Sequence, residues 1–162
     1  MTAAHSLWPT DIDLDPPTPR ELLAEQARAL DEQTNGRLKG ALHDQHVPGL
    51  EPSVALIIEA PVLDYRHQLL ALRQVDRSRA YPVLVEAECL VPPGMDQRRD
   101  SVGEPGGLNH WEVYPTAADA RELQTYLGTV LGHRDTRALL TSLLAEIRLR
   151  SLRPQAETPT EG

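Results

Sequence analysis

Residues 37–91 contain several segments with the composition of β-strands, and the links between them are short. The segment 53–60, SVALIIEA, is apolar and β-branched with a proline on each side, which predicts a buried strand. We predict strands at 65–75 and 81–91 as well, although the run Leu-Leu-Ala-Leu in 65–75 also permits a helix. Links this short cannot hold a crossover helix, so these strands are expected to form an antiparallel sheet.

The segment 37–46 is ambiguous, because its leucines fit either a helical period or two strand repeats. We interpret it as a short edge strand. A last short strand is predicted at 110–114, HWEVY, ended by Pro115. Between 81–91 and this strand, residues 92–109 contain three prolines and four glycines. Loops of this length inside a compact domain are usually functional or disordered.

Segment 81–91 has the clearest alternation in the chain. Its odd-numbered positions predict one apolar strand face, and Glu86 and Glu88 are expected on the opposite, solvated face. The apolar positions are Tyr81, Val83, Val85, Ala87, Cys89 and Val91.

Three helices are predicted around these strands. Thr18, Pro19 and Glu21 have the pattern of a capping box with proline at the first helical position, which predicts a helix over 19–34. A second helix is expected to be capped by Thr116, with Asp119 at its third position, and to run to about residue 131.

A third helix is predicted over about 134–150. Its apolar stripe is expected to pack on the sheet opposite Val83 and Val85, with a second flank left for another helix or chain. The residues of this stripe are Leu139, Leu140, Leu143, Leu144 and Ile147.

These elements predict an α+β fold with one N-terminal helix, an antiparallel meander sheet of four to five strands, and two C-terminal helices packed on one face. Residues 1–17 are expected to be an extended arm, 18–153 a single domain, and 154–162 a disordered tail. The chain contains no Phe and only six aromatic residues. Its core is therefore expected to be aliphatic.

Composition argues against several classes of function. The net charge of −8 repels nucleic acid and anionic lipid, and so few aromatic rings argue against a base-stacking surface. A single cysteine excludes an internal disulfide and a multi-cysteine metal site. No apolar run reaches the length of a membrane span. We therefore expect a cytoplasmic protein without cofactor or metal. Its 15 Arg, one Lys and 14 Pro are typical of GC-rich bacterial genomes.

The densest polar cluster is Asp64-Tyr65-Arg66-His67. A histidine base oriented by a carboxylate, with a tyrosine as donor, is a possible catalytic set. Neighbours on a strand point to opposite faces, however, so Tyr65 and His67 share one side and Asp64 and Arg66 the other. We interpret the cluster as a turn and the exposed start of a strand.

Other candidate ligands are sparse. His110 and Glu112 alternate with Tyr114 on the last predicted strand and could supply two metal ligands, but a third must come from elsewhere. His43 and His46 are interpreted as exposed histidines. Cys89 lies on the apolar face of its segment and is interpreted as a core thiol rather than a nucleophile.

The favoured interpretation is a non-catalytic protein-binding module, such as an adaptor, a chaperone, or an immunity or antitoxin-like inhibitor. The acidic stretch 11–32 suits a basic partner surface, and the C-terminal helix is a possible site of homo-oligomerisation. The alternatives are a structural subunit of a phage-like or secretion assembly, and a small metal-dependent hydrolase or nuclease whose site combines His67, Asp64 and the strand at 110–114. The residues predicted to contact a partner are Asp11, Asp13, Asp15, Arg98, Arg99 and Trp111.

Overall fold

The computed structural model of the chain describes residues 15–92 and 113–152. Three helices and five strands organise these residues, and the strands form one antiparallel sheet in the order of the chain. This confirms the α+β class with a helix before the sheet and two helices after it. In chain order the elements are α1 (Pro19–Gln33), β1 (Lys39–Gln45), β2 (Ser53–Ala60), β3 (Tyr65–Gln74), β4 (Val83–Glu86), β5 (Thr116–Ala117), α2 (Ala120–Gly132) and α3 (Arg134–Leu152).

Helix α1 begins at the predicted capping box. The Glu21 backbone N–H donates to the Thr18 hydroxyl, and the Thr18 backbone N–H donates to the Glu21 carboxylate at 2.7 Å. The Thr18 backbone N–H and the Thr18 hydroxyl both donate to the Glu21 carboxylate and lower the pKa of Glu21. Asn35 and Gly36 follow the helix with positive φ angles of 51° and 73°. The helix therefore starts and stops where local sequence predicts.

Strands β1, β2 and β3 confirm the three predicted strands. Strand β1 is paired on one side only among the described strands, with Leu42 opposite Leu56 of β2. The register between β2 and β3 shifts by one residue after Leu56, which pairs with Leu70, while Ile57 pairs with Gln68. The shift leaves Leu69 as the extra residue of a bulge.

Strand β4 is much shorter than predicted. Only Val83–Glu86 are extended, and a 3-10 turn follows at Glu88–Leu90. Pro82 has no N–H to donate, which fits a strand that begins after it. Leu84 is fully buried and the Glu86 side chain is only 13 % exposed. The expectation of a solvated second face was therefore wrong for Glu86, whereas Glu88 is exposed in the 3-10 turn.

The prediction of a strand at 110–114 was also wrong for its described residues. Val113 is helical and buried, Tyr114 lies in a bend, and the last strand is Thr116–Ala117. Pro115 does not end a strand: its carbonyl accepts the Val85 N–H at 2.8 Å and leads into β5. Proline lacks a donor but keeps its acceptor, so it fits the first position of an edge strand.

The start of α2 was predicted at the wrong cap. Thr116 pairs with Leu84 in the sheet, and the N-cap of α2 is Asp119. The Asp119 carboxylate accepts the Glu122 backbone N–H at 2.9 Å. Both residue types are good caps, so strand pairing decides between them.

Most of the buried apolar residues form two clusters. The larger one joins α1, the sheet and α2, and consists of Leu22, Leu23, Ala27, Leu56, Leu70, Leu72, Val83, Val85, Ala87, Ala117, Leu123, Leu127 and Val130. The smaller one brings α3 against the far end of β2 and consists of Leu38, Ile58, Ala60, Leu143 and Ile147.

Helix α3 therefore packs elsewhere than predicted. Leu143 and Ile147 are buried, but against Leu38, Ile58 and Ala60, not opposite Val83 and Val85. Val83 and Val85 lie in the larger cluster, with the buried face of α2. Helix α2 follows β5 in the chain and packs in the cluster that contains β4 and β5. Helix α3 packs instead near the end of β2.

Candidate functional site

Of the six residues predicted to contact a partner, the described part of the chain contains Asp15 alone. The other five, Asp11, Asp13, Arg98, Arg99 and Trp111, lie outside the described residues. Asp15 is exposed just before α1. The acids Glu21, Glu25, Asp31 and Glu32 are exposed on α1. An acidic surface at this end of the fold thus exists, and its role in binding stays a prediction.

The cluster at the start of β3 has the geometry expected of a strand. Tyr65 and His67 stack on the same side, with ring centroids 6.4 Å apart and planes 11° from parallel. Arg66 donates from Nε to the Glu59 carboxylate at 2.8 Å across to β2. Asp64 is the left-handed residue that closes the preceding 3-10 turn. These contacts account for the cluster through strand pairing and turn geometry.

The residues predicted as possible metal ligands form no group within the described part of the chain. His110 and Glu112 lie outside the described residues, and His43 and His46 are exposed near the end of β1. Within residues 15–92 and 113–152, no three His, Cys, Asp or Glu side chains are grouped to hold a metal ion.

Cys89 lies in the 3-10 turn after β4 and is half-buried against the larger cluster. Burial raises the pKa of its thiol, and the nearby carboxylates of Asp135 and Glu88 raise it further. A raised pKa keeps the thiol protonated at neutral pH. The surroundings of Cys89 therefore favour packing over nucleophilic chemistry.

A buried ion pair is the main polar feature that sequence reasoning missed. Arg73 of β3 donates from Nε to Oε1 of Glu86 at 2.6 Å and from Nη2 to Oε2 at 3.2 Å. Its Nη1 donates to the Glu51 carbonyl at 2.7 Å. The Arg73 side chain is 6 % exposed. The sequence does contain a signal for this pair, namely opposite charges on two neighbouring strands. Recognising that Arg73 pairs with Glu86 requires the register between β3 and β4.

A cleft with a volume of about 410 Å³ lies between the start of α1 and the turn after β3. Val54, Leu72 and Val83 contribute apolar lining. Three arginines also line it, and each forms an ion pair: Arg20 with Asp44 at 2.5 Å, Arg77 with Glu51 at 2.5 Å, and Arg79 with Asp76 at 3.7 Å. Because each of these arginines is paired with a carboxylate, the lining of the cleft does not favour a ligand of either charge.

The outer face of α3 carries an unusual surface for a helix exposed to solvent. We call it the outward stripe; it consists of Ala138, Ser142, Ala145, Leu149 and Leu152, all of them exposed. At about 100° per residue these five positions span an arc of about 80°. That arc lies nearly opposite the side on which Leu143 and Ile147 are buried. From Ala138 to Leu152 this arc contains no charged residue, while Arg134 lies on the same arc in the first turn.

The two leucines dominate this surface. Leu149 is 57 % exposed and Leu152 is 68 % exposed. A surface helix normally turns charged and polar residues outward, and clustered exposed apolar side chains mark interaction sites. The apolar period of this helix predicts a free flank, but among the leucines from 139 to 147. Leu149 stands between Arg148 and Arg150, which hid it.

No model of a protein family matches the chain, and neither curated proteins nor solved structures give a match. In the part of the chain that the structure describes, no helix is long and apolar enough to cross a membrane.

Proposed function

We propose that this chain is a small, non-catalytic protein-binding module that holds its partner on the outward stripe of α3. The observation that carries the proposal is the exposure of Leu149 and Leu152 on a stripe without a charged residue. Full burial of one such side chain stabilises a complex by about 1.5–3 kcal/mol. Burial of both leucines at this end of the stripe would therefore stabilise a contact with a complementary apolar surface.

The charges around the stripe support a protein partner. Arg148 and Glu146 flank it on either side, both exposed, and a polar rim around an apolar centre is the usual anatomy of an interface. The acidic residues of α1 supply a second charged surface, which favours a partner with a basic region. These two surfaces suit an adaptor, a chaperone, or an immunity or antitoxin-like inhibitor in the cytoplasm.

Co-purification from the native host at physiological salt tests the proposal. The test variant is Leu149→Glu/Leu152→Glu, and the matched control is Gln124→Glu/Thr125→Glu, which adds the same charge to two exposed residues of α2. We expect the wild type and the control to elute with a partner, and the test variant to elute without it.

Two results contradict the proposal. The first is a partner that the test variant retains as well as the control does. The second is a chain that elutes alone and turns over a substrate, which would make it an enzyme.

A further inference from the structure

We propose that the outward stripe of α3 binds the outward stripe of a second copy of this chain, with the two helices antiparallel. This pairing presupposes that the stripe binds protein, as proposed above, and names the partner. Three features of α3 lead to it: the spacing of the stripe, the order of large and small residues along it, and the area it offers.

The spacing of the outward stripe is that of a helix seam. Its residues follow one another at intervals of four, three, four and three positions, from Ala138 to Leu152. Alternating steps of three and four place apolar residues along one line of a helix, as at the contact positions of a coiled coil. The stripe occupies most of α3, whose 19 residues extend over about 28 Å.

The order of sizes selects the antiparallel arrangement. With Ala145 at the centre, Ala138 of one copy lies near Leu152 of the other, and Ser142 lies near Leu149. The four outer layers then each hold one large and one small side chain, and the central layer holds Ala145 of both copies, so no layer pairs two leucines. In a parallel pair the leucines meet at one end and the small residues at the other, which leaves a gap or forces the helices apart.

The charges of α3 are compatible with that arrangement. The stripe contains no charged residue, and on one flank Arg148 comes opposite the exposed Thr141 of the second copy. Antiparallel helices also place the positive N-terminal end of one macrodipole beside the negative C-terminal end of the other. A parallel pair brings like ends together.

The area sets the expected strength. A contact as long as the stripe, about 21 Å, and one helix wide, roughly 10 Å, buries on the order of 300–400 Å² on each copy. This lies below the range of about 1,200–2,000 Å² in total for stable interfaces. We therefore expect a weak, reversible dimer, not a permanent one.

Disulfide trapping distinguishes the arrangements. In a Cys89→Ala background, the single-cysteine variants Ser142→Cys, Ala145→Cys and Leu149→Cys are oxidised alone and in pairs, with Thr125→Cys on α2 as the control. We expect Ala145→Cys to link to itself, and the mixture of Ser142→Cys with Leu149→Cys to give mainly the mixed dimer. Self-linking of each of the three variants indicates a parallel pair and overturns the antiparallel arrangement. Linking no faster than the control overturns the pairing.

Sedimentation of the full chain over a wide concentration range separates this pairing from the proposed function. We expect the wild type and Gln124→Glu/Thr125→Glu to dimerise, and Leu149→Glu/Leu152→Glu to remain monomeric. A monomeric wild type that loses a host partner through the leucine substitutions overturns the self-pairing and leaves the proposed function intact. A dimer whose host partner is unaffected by those substitutions supports the pairing and contradicts the proposed use of the stripe.

Discussion

Gly40 of β1 lies against Ala27 of α1 so closely that a Cβ atom on the glycine would come within 2.4 Å of the Ala27 Cα. Two further Ala27 atoms, Cβ and the carbonyl oxygen, would lie within 2.8 Å. The obstacle is therefore largely backbone, which cannot rotate away. We predict that Gly40→Ala lowers the free energy of unfolding by about 1–3 kcal/mol, the usual effect of overpacking, as measured by urea denaturation.

Gly128 provides the matched control. It lies within α2, and a Cβ there would meet nothing within 4 Å. Alanine has the higher helix propensity by about 1 kcal/mol, so Gly128→Ala should leave stability unchanged or raise it. A Gly40→Ala variant as stable as Gly128→Ala would show that α1 does not approach β1 this closely.

The buried side of α3 should be sensitive to truncation. Leu143 is 7 % exposed in the smaller cluster, and Leu140 packs against that cluster while half-buried. We predict that Leu143→Ala lowers stability by about 2–4 kcal/mol, and that Leu140→Ala lowers it by less. Arg148→Ala, on the exposed side, should have no measurable effect on the melting temperature. A melting temperature that Leu143→Ala leaves unchanged would place α3 away from β2.

The Arg73–Glu86 pair should be costly to break from one side. Arg73→Met leaves the Glu86 carboxylate largely buried without its guanidinium, and losing one member of a buried pair typically lowers stability by about 3–5 kcal/mol. Replacing both residues, in Arg73→Met/Glu86→Leu, removes both charges and should lower stability by less than either single substitution. A double-mutant cycle measures this coupling. Additive losses would indicate that the two side chains do not interact.

Tyr81 should make stability depend on pH at the alkaline end. Its hydroxyl donates to the Pro17 carbonyl at 2.9 Å. Burial, followed by the carboxylates of Asp119 and Glu21, raises its pKa from 10.0 to about 12. Because the folded pKa lies above the unfolded one, its contribution is complete below pH 10 and is lost as pH rises towards 12.

An ultraviolet titration of phenolate, comparing the wild type with Tyr81→Phe, checks this prediction. The difference between the two curves should have its midpoint near pH 12. The variant should also lose less unfolding free energy than the wild type above pH 10. A difference curve centred at the ordinary tyrosine value of 10.0 would rule out the buried, hydrogen-bonded phenol.

Much of the architecture follows from local sequence. Thr18 and Glu21 predict the start of α1 because both partners of the capping box are three residues apart. The short links between β1, β2 and β3 predict their antiparallel order, because strands joined by short links pair with each other. These predictions needed only contacts between residues close in the chain.

The predictions that were wrong concern residues whose structure depends on contacts with residues distant in the chain. Thr116 has the chemistry of a helix cap, but pairing with Leu84 places it in the sheet. Glu86 has the alternation of a solvated position, but Arg73 lies close enough to pair with it in the folded sheet. The helical period of α3 identified its buried side without showing which part of the sheet it covers. The outward stripe was missed because alanine and serine gain their meaning only once α3 is placed.

The central claim is that the outward stripe of α3 contacts protein in the cell, and site-specific photo-crosslinking tests it most directly. A benzoylphenylalanine residue is introduced at Leu149, and in a second variant at Thr125 on the exposed face of α2, and both variants are irradiated in the native host. We predict covalent protein adducts from position 149, with the second copy or another protein, and far fewer from position 125. Equal yields at the two positions, or no adduct at 149, would contradict the account.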